Sequence, residues 1–155
     1  MTYFFYGTLC DPDVLALVLG YRPSPRQLQP AVLPGFRRKQ ARNRTYPVLV
    51  PAPGGRVDGL LFSPGRPADR QRLAAYERPE YILRRLPVLA AAGRTAPEQD
   101  RPAAPCRAGV FVAARSAAGE SALPPARADW HPGRWRRRDK PQFLQSLKDP
   151  GPSHE

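Results

Sequence analysis

The stretch YFFYGTLCDP, residues 3–12, determines how the N-terminal part of this chain folds. Its first four residues are aromatic, which predicts a buried strand, and Gly7 ends that strand. Asp11 then has the form of a helix N-cap, and Pro12 suits the first helical position. After the apolar run VLALVL, Gly20 is placed to end the helix. The stretch therefore predicts a strand, a tight turn and a short helix in direct succession.

Downstream of this unit, apolar runs alternate with turns rich in proline and glycine. The triplet Pro53-Gly54-Gly55 lies between two such runs and predicts a hairpin that pairs Tyr46–Val50 with Val57–Phe62. Two further strands are predicted in ILRRLPVLAA and AGVFVAARS, and two helices in ADRQRLAAYE and PGRWRRRDKPQFLQSLK. Residues 117–129 are predicted to be a loose connection. The sequence therefore predicts an α+β fold, with one mostly antiparallel, barrel-like sheet and short flanking helices.

The size and hydropathy of the chain favour one globular domain. It has 155 residues, 41% of them hydrophobic, which is enough for a single core. We expect the domain to cover residues 1–145 and the C-terminal tail, residues 146–155, to be flexible. No segment approaches the roughly 20 apolar residues of a membrane helix, and no basic region precedes the N-terminal apolar run. We therefore expect a cytoplasmic protein that does not enter membranes, and we leave its oligomeric state open.

The polar composition argues against a metal site and against specific nucleic-acid binding. Cys10 and Cys106 form no CxxC pair, and His131 and His154 have no partner at zinc spacing, so we expect neither a metal nor a cofactor. Arginine supplies most of the formal net charge of +12. Basic surfaces attract phosphates, but these arginines are scattered along the chain and are not interleaved with aromatic residues. We expect the run Arg136–Arg138 to be a solvated face.

Five stretches, taken in order, resemble the γ-glutamylcyclotransferase-like superfamily, which includes bacterial members. They are YGTL (6–9), AVLPGFRR (31–38), TYPVLVP with GGRVDGLLF (45–62), LAAYERPEY (73–81) and DWHPGRWRRR (129–138). Each motif alone is weak, whereas the ordered set covers most of the chain. The resemblance implies a small mixed β-barrel with flanking helices, and an enzyme that acts on a small γ-glutamyl substrate.

The resemblance also assigns roles to individual residues. It implies that Glu77 is the catalytic residue. It implies a pocket whose substrate-binding residues are Tyr6, Gly7, Thr8, Leu9 and Tyr81. The chain departs from the family pattern at two positions, since Ala74 replaces an aspartate and Arg78 replaces a glycine. The first departure removes a polar support, and the second adds a positive charge beside the proposed base.

The implied reaction explains why one glutamate could suffice. The α-amine of a γ-glutamyl unit attacks its own side-chain amide, a five-membered ring closes to 5-oxoproline, and the amine partner leaves. Tethered reactions of this kind reach effective molarities of ~10⁵ M or more. A single carboxylate can take a proton from the α-amine and pass it to the leaving nitrogen. We expect burial near Tyr76 and Tyr81 to raise the pKa of Glu77 above its ordinary value of ~4.3, and the amides after Gly7 to hold an anionic oxygen.

The residues themselves leave simpler alternatives open. The Tyr6–Leu9 segment could be an ordinary turn between a strand and a helix. Glu77 could be a solvated residue at a helix end, with Glu80 as its competitor for the catalytic role. Tyr81 could be a core tyrosine, and Tyr46 could equally line the pocket or only pack, so it is left off the site.

Other residues near the motifs are assigned structural roles. Cys10 is expected to be a small buried apolar residue, because no histidine lies near it in sequence. Trp130 and Trp135 are expected to anchor the C-terminal segment by packing.

Three functions from different classes remain. The first is cyclisation of a γ-glutamyl amine or amide, and members of the superfamily act on γ-glutamyl amino acids, γ-glutamyl-lysine isopeptides or a γ-glutamyl protecting group of an antibiotic precursor. The second is a non-catalytic module that binds a small molecule on the same fold. The third is a basic nucleic-acid-associated protein. The first is separated from the second by whether Glu77 points into a cavity shared with the amides of residues 7–9, and the third would show a continuous basic groove away from that cavity.

Overall fold

A computed structural model describes residues 1–77, 79–90 and 104–148 of the chain. The strands of this part are β1 (Tyr3–Phe5), β2 (Leu28–Ala41), β3 (Pro47–Phe62), β4 (Tyr81–Ala90), β5 (Ala104–Ala113) and β6 (Pro125–Asp129). Its α-helices are α1 (Pro12–Leu19), α2 (Asp69–Glu77), α3 (Pro132–Arg138) and α4 (Lys140–Lys148). Two short 3₁₀ turns, Thr8–Cys10 and Pro25–Gln27, precede α1 and β2. No helix within these residues is long and apolar enough to span a membrane.

Five of these strands form a closed mixed barrel. They are hydrogen-bonded in the order β3-β1-β5-β4-β2, and a further pairing between β2 and β3 closes the ring. The pairing of β1 with β5 is parallel, whereas the other pairings among the described strands are antiparallel. β6 lies outside the ring and pairs with β2. The predicted α+β barrel with short flanking helices is therefore confirmed.

The alternation of side chains along β1 places the two hydrophobic clusters. Tyr3 and Phe5 point to one face, where they pack with residues of α1, α2 and the C-terminal segment. Phe4 and Tyr6 point to the other face, where they pack among side chains of β2, β3, β4 and β5. Successive strand residues point to opposite sides of a sheet. One aromatic stretch therefore fills the barrel interior and also seats the helices on its outside.

The N-terminal unit folds as its sequence predicts. The Asp11 carboxylate accepts hydrogen bonds from the backbone amides of Asp13 at 3.0 Å and Val14 at 3.2 Å, which caps α1. Gly20 ends the helix in the left-handed region at φ 82°, where a residue without a side chain is favoured. The strand, the turn and the helix follow one another directly and fix the position of residues 7–9 between them.

The predicted hairpin around Pro53-Gly54-Gly55 is wrong. In the structure β3 runs through this triplet as one strand and pairs along its length with β2. The register passes from Pro34 opposite Arg56 to Phe36 opposite Pro51, so the triplet forms an irregularity within the ladder instead of a turn. The chain reverses at residues 42–46, where Asn43 adopts a left-handed conformation at φ 60°.

The C-terminal part also differs from the sequence prediction in detail. The stretch 117–129 is not loose throughout, because its last five residues form β6 along the edge of β2. The predicted terminal helix is two helices, since α3 ends at Arg138 and Pro141 suits only the first turn of a new helix. α4 continues to Lys148, past the predicted domain boundary at residue 145. Residues 149–155 lie outside the described part, and the flexibility of the tail stays a prediction.

The C-terminal helices are anchored on the body by packing and by charge. Trp130 and Trp135 are 3% and 2% exposed and pack with their ring centroids 6.3 Å apart, which agrees with the predicted anchoring role. The Lys140 ammonium lies 2.9 Å from the Asp11 carboxylate and 2.7 Å from the Asp13 carboxylate. Since these acids belong to the start of α1, the contacts hold α4 against α1. The outer wall of the site described below is built on this contact.

Candidate active site

A cavity of about 630 Å³ opens between the barrel and the helices. Its walls come from the end of β1 and the turn after it, from α1, α2 and α4, from the turn before β4, and from Phe111 of β5. Volumes of this size accommodate small metabolites. The six site residues predicted from the resemblance all line this cavity: Tyr6, Gly7, Thr8, Leu9, Glu77 and Tyr81. The fold therefore brings together residues that are more than 60 positions apart in sequence.

Glu77 is the last residue of α2, and its half-buried side chain faces the cavity. Within the described part of the chain, its carboxylate makes neither a hydrogen bond nor an ion pair. Burial raises the pKa of Glu77 to about 8, because the charged form loses water without gaining a partner. The alternative that Glu77 is a solvated residue at a helix end therefore does not describe this environment. A carboxyl group with this pKa can both accept and donate a proton near neutral pH.

Glu80 also lines the cavity, but it is engaged by other side chains. The Tyr46 hydroxyl donates a hydrogen bond to one Glu80 carboxylate oxygen at 2.6 Å. The Arg44 guanidinium lies 3.4 Å from the other oxygen. Tyr46, which sequence reasoning left off the site, is thus a wall residue that holds Glu80. Of the two carboxylates, Glu77 is the one that is free to handle a proton.

The turn after β1 borders the cavity and has backbone amides that are not used within the turn. Thr8–Cys10 forms a single 3₁₀ turn, in which the amides of Cys10 and Asp11 donate to the carbonyls of Gly7 and Thr8 at 3.0 Å each. The first amides of a helical turn have no partner within it. Among the described residues, no hydrogen bond is donated by the amides of residues 7–9. These amides are available for an anionic oxygen.

The position of this turn depends on Gly7 and on a bond to α2. A Cβ at Gly7 would lie 2.9 Å from Cγ of Pro47, so a larger residue would collide with the start of β3. The Thr8 hydroxyl and the Tyr76 hydroxyl are hydrogen-bonded at 2.5 Å. Since Tyr76 directly precedes Glu77, this bond links the turn to the end of α2. The segment is more than an ordinary connection, because it is tied to the element that carries the carboxylate.

Tyr6 and Tyr81 use their hydroxyl groups to join parts of the barrel. The Tyr6 hydroxyl donates to the carbonyl of Phe111, and the Tyr81 hydroxyl donates to the carbonyl of Pro47 at 2.9 Å. Burial raises the pKa of both phenols above their ordinary range, with the Glu77 carboxylate adding to the effect. Both tyrosines therefore remain neutral and shape the cavity, and neither is suited to give up a proton near neutral pH.

The outer wall of the cavity, which α1 and α4 contribute, is mainly apolar. It contains Leu17 and Val18 of α1 and Phe143 and Leu147 of α4. Arg72 is the cationic residue on the wall within the described part of the chain. Sequence reasoning did not predict that α4 contributes to the site. The pattern that could have indicated it is the spacing of Phe143 and Leu147 by four, which places both on one helical face.

The two departures from the family pattern are at Ala74, which the structure describes, and at Arg78, which it does not. Ala74 is exposed and is not part of the cavity wall, whereas its neighbour Ala75 is. The missing aspartate at position 74 therefore changes the outer surface of α2. Arg78 lies outside the described residues, and its expected effect on Glu77 stays a prediction.

The remaining candidates for chemistry are accounted for by packing and surface exposure. The Cys10 thiol donates to the carbonyl of Phe5 at 3.1 Å, and burial raises its pKa to about 12, so it is an unreactive packed residue. In the part of the chain that the structure describes, no three His, Cys, Asp or Glu residues cluster as metal ligands. Arg136–Arg138 are exposed on α3, as expected for a solvated face, and Arg136 lies 3.5 Å from Asp11.

Comparisons with known proteins agree with this fold and identify a family. Residues 3–135 match the family described as "Gamma-glutamyl cyclotransferase, AIG2-like". The chain is 36% identical over 78 residues to "AIG2-like protein A" of Arabidopsis thaliana, covering 50% of this chain and 46% of that protein. It is 33% identical over 86 residues to "AIG2-like protein D" of the same plant, covering 56% and 55%. The chain thus spans about half the length of these relatives. They are plant proteins, so the resemblance to bacterial members gains no support from them.

Solved structures show the same fold at low sequence identity. The match to a solution structure from Arabidopsis thaliana covers 96% of this chain and 88% of the Arabidopsis chain, with a TM-score of 0.59 and 23% sequence identity. A structure named "Gamma-glutamyl cyclotransferase" covers 100% and 90%, with a TM-score of 0.51 and 14% identity. A glutathione-specific γ-glutamyl cyclotransferase from yeast covers 73% and 68%, with a TM-score of 0.50 and 13% identity. At these identities the likeness concerns the fold alone.

Proposed function

The chain belongs to the AIG2-like gamma-glutamyl cyclotransferase family, and we propose that it converts a γ-glutamyl amine or amide to 5-oxoproline and the free amine. One observation carries this proposal. The carboxylate of Glu77 and the amides of residues 7–9, which have no hydrogen-bond partner among the described residues, belong to residues that line one cavity of about 630 Å³. The first can move a proton, and the second can hold an anionic oxygen. The reaction requires both groups, and both must contact the same bound substrate molecule.

The bonds that form and break all belong to the substrate, and Glu77 is the proton carrier. The α-amine nitrogen attacks the γ-carbonyl carbon, and a C–N bond forms as the carbonyl oxygen takes up negative charge. The bond from that carbon to the leaving nitrogen then breaks. An α-ammonium group loses two protons as it becomes the ring N–H, and the leaving nitrogen gains two as it departs as an ammonium. Glu77 carries these protons one at a time from the first nitrogen to the second, so the protons balance and no water is consumed.

The raised pKa of Glu77 suits this shuttle. A base near pKa 8 is close in strength to an α-amine, so a proton can pass between them with little change in free energy. The α-ammonium group of a bound substrate would favour the charged form of Glu77 and lower its pKa. Substrate binding would in this way produce the carboxylate that the reaction requires.

The amides of residues 7–9 are proposed to hold the developing oxyanion or the α-carboxylate of the substrate. Preorganised amides stabilise charge most where water is excluded, and the loss of one such donor typically lowers kcat by ~10²–10³-fold. The turn that carries them is fixed by Pro47 on one side and by the Tyr76 hydroxyl on the other. Tyr6 and Tyr81 are proposed to shape the pocket around the γ-glutamyl unit.

A second candidate is a module that binds a γ-glutamyl compound without turning it over. The raised pKa of Glu77 favours it in one respect, because at neutral pH a carboxyl of pKa about 8 is mostly protonated in the free protein and cannot then accept a proton. The two candidates share the cavity and differ only in whether bonds break. The basic, nucleic-acid-associated candidate gains nothing from this cavity, whose walls, among the described residues, carry two glutamates and one arginine.

The proposal is tested by incubating the protein with γ-glutamyl amino acids, γ-glutamyl-ε-lysine and γ-glutamyl alkylamides. We expect 5-oxoproline and the free amine to appear in equal amounts with at least one member of the panel. Binding measured by calorimetry without product would support the binding module. Neither binding nor product with any member would overturn both candidates.

A further inference from the structure

Arg38 is a half-buried cationic side chain that lies outside the cavity wall and contacts one of its residues. Arg38 of β2 is half-buried and does not line the cavity. Its guanidinium Nη1 donates a hydrogen bond of 2.7 Å to the backbone carbonyl of Tyr6, and it approaches the carbonyl of Asp58 at 3.4 Å. The shorter contact falls at the end of β1, one residue before the turn that carries the unpaired amides.

The position of Arg38 is fixed by an aromatic platform. Its guanidinium carbon lies 5.2 Å from the centroid of the Trp130 ring, within the range of a cation–π contact. The Trp130 indole N–H donates in turn to the carbonyl of Thr45 at 3.0 Å. The guanidinium Nε has no hydrogen-bond partner among the described residues. The stacked position of Arg38 on Trp130 therefore leaves one donor unbonded while it places Nη1 at the carbonyl of Tyr6.

No carboxylate lies within ion-pair distance of Arg38 in the part of the chain that the structure describes. Asp58 is paired with Arg56 at 3.3 Å, and Asp129 is paired with Lys39 at 2.7 Å. Both carboxylates stabilise the charge of Arg38 only from a greater distance. Its hydrogen bonds go to the two backbone carbonyls, and the shorter one goes to that of Tyr6.

The carbonyl of Tyr6 and the amide N–H of Gly7 belong to the same peptide group. A cation bound to the oxygen of a peptide withdraws electrons from its nitrogen, and chains of hydrogen bonds strengthen one another in this way. We propose that Arg38 is a positioning residue that orients the Tyr6–Gly7 peptide and makes its amide a stronger donor toward the anionic oxygen of the substrate. This inference rests on the proposed function, because it assigns a purpose to the amide of Gly7.

Arginine suits this task better than lysine. Its planar guanidinium stacks on an aromatic ring, stays charged when partly buried and is more weakly hydrated than an ammonium group. Arg38→Lys should keep the charge but lose the stacked geometry. Arg38→Gln can keep one hydrogen bond but loses the charge. Arg37 is the matched control, because it is the preceding residue of β2 and its side chain is exposed.

The first test needs no activity. The ¹H–¹⁵N correlation signal of Gly7 is recorded for the wild type and for Arg38→Gln, Arg38→Lys and Arg37→Gln. A stronger bond to the Tyr6 carbonyl moves the Gly7 ¹⁵N signal downfield, so we expect an upfield shift in Arg38→Gln, a smaller one in Arg38→Lys, and none in Arg37→Gln. An unchanged Gly7 signal in the folded Arg38→Gln variant would overturn the proposal.

The second test uses turnover on the best substrate of the wild type. We expect kcat to fall about 10-fold in Arg38→Gln, less than the ~10²–10³-fold loss typical of removing a donor itself. KM should change by only a few-fold, and Arg38→Lys should recover part of the rate. If kcat and the melting temperature fall together across the three variants, the role of Arg38 is merely structural and the proposal is contradicted. If the wild type turns over no substrate, the proposed function fails, while the Gly7 signal still decides the contact of Arg38.

Discussion

Two glutamates at the junction of α2 and β4 line one cavity and yet have opposite environments. Glu80, in the turn before β4, receives the Tyr46 hydroxyl at 2.6 Å and lies 3.4 Å from the Arg44 guanidinium. Glu77, at the end of α2, is without such partners in the described part of the chain, and burial raises its pKa to about 8. The difference arises from the surroundings alone, since the two side chains are chemically identical.

This comparison shows how one short segment separates a structural carboxylate from a reactive one. The charge of Glu80 is used to hold the chain reversal before β3 against the turn before β4. The charge of Glu77 is destabilised by the loss of water and can be stabilised by an ammonium group of a ligand. A perturbed carboxyl group in a cavity is a candidate for proton transfer for this reason. The following predictions test whether the distinction holds.

The largest effect is expected from removing the proton-accepting group. Glu77→Gln keeps the size and polarity of the side chain but cannot carry a proton, so we expect cyclisation to fall by ~10² or more. Glu80→Gln should lower the rate by only a few-fold, because it weakens the turn and leaves the proton carrier in place. The rates are measured by release of 5-oxoproline, with circular dichroism to confirm folding. Equal losses in the two variants would remove the distinction between the carboxylates.

A smaller effect is expected from the turn that faces Glu77. Gly7→Val would drive a side chain into Pro47, where even a Cβ would lie 2.9 Å from Cγ, and would displace the amides of residues 7–9. We expect a loss of activity of about 10-fold or more, since these amides are proposed to hold the anionic oxygen. Thr8→Ser keeps the hydroxyl that meets Tyr76 and should be mild. A folded Gly7→Val variant with normal turnover would contradict the role of the turn.

The last effect concerns stability instead of turnover, and its sign follows from the raised pKa. Between the unfolded pKa of about 4.3 and the folded value of about 8, the folded protein binds more protons at Glu77 than the unfolded chain does. The free energy of unfolding should therefore fall as pH rises through this window. Glu77→Gln removes this contribution, so its stability relative to wild type should increase from pH 5 to pH 8 by about 3–4 kcal/mol.

Denaturant unfolding at the two pH values measures this change, with Glu80→Gln as the matched control. We expect the control to lack this increase, because Glu80 is already paired. A relative stability of Glu77→Gln that is the same at pH 5 and pH 8 would show that burial does not perturb Glu77.

Local signals in the sequence predicted those parts of the molecule that are determined locally. The strand, turn and capped helix of residues 3–20 follow from aromatic, glycine, aspartate and proline signals within a few positions of one another. The triplet Pro53-Gly54-Gly55 carries an equally strong local turn signal, and there the prediction failed. Its conformation is decided by β2, whose residues pair with β3 on both sides of the irregularity. Turn residues alone cannot distinguish a hairpin from a break within one long strand.

The site shows the same limit. The resemblance identified Glu77 and the turn after β1, and the structure places them in one cavity. The contact of Tyr46 with Glu80 and that of Arg38 with Tyr6 join residues 34 and 32 positions apart. The wall formed by α4 depends on Lys140, which is hydrogen-bonded to Asp13 across a sequence separation of 127 positions. Such contacts leave no periodic pattern in the sequence, because they are created by the closure of the barrel and the docking of the helices.

The central claim is that Glu77, unlike Glu80, is a desolvated and unpaired carboxyl group. It is tested most directly by following the side-chain carboxyl ¹³C signals of both residues during a pH titration, with Glu77→Gln and Glu80→Gln used to assign them. The account predicts that the Glu77 signal titrates with an apparent pKa near 8. It also predicts that saturation with a γ-glutamyl ligand lowers the pKa of Glu77. A Glu77 signal that titrates near 4.3, as an ordinary solvated carboxyl group does, would contradict the account.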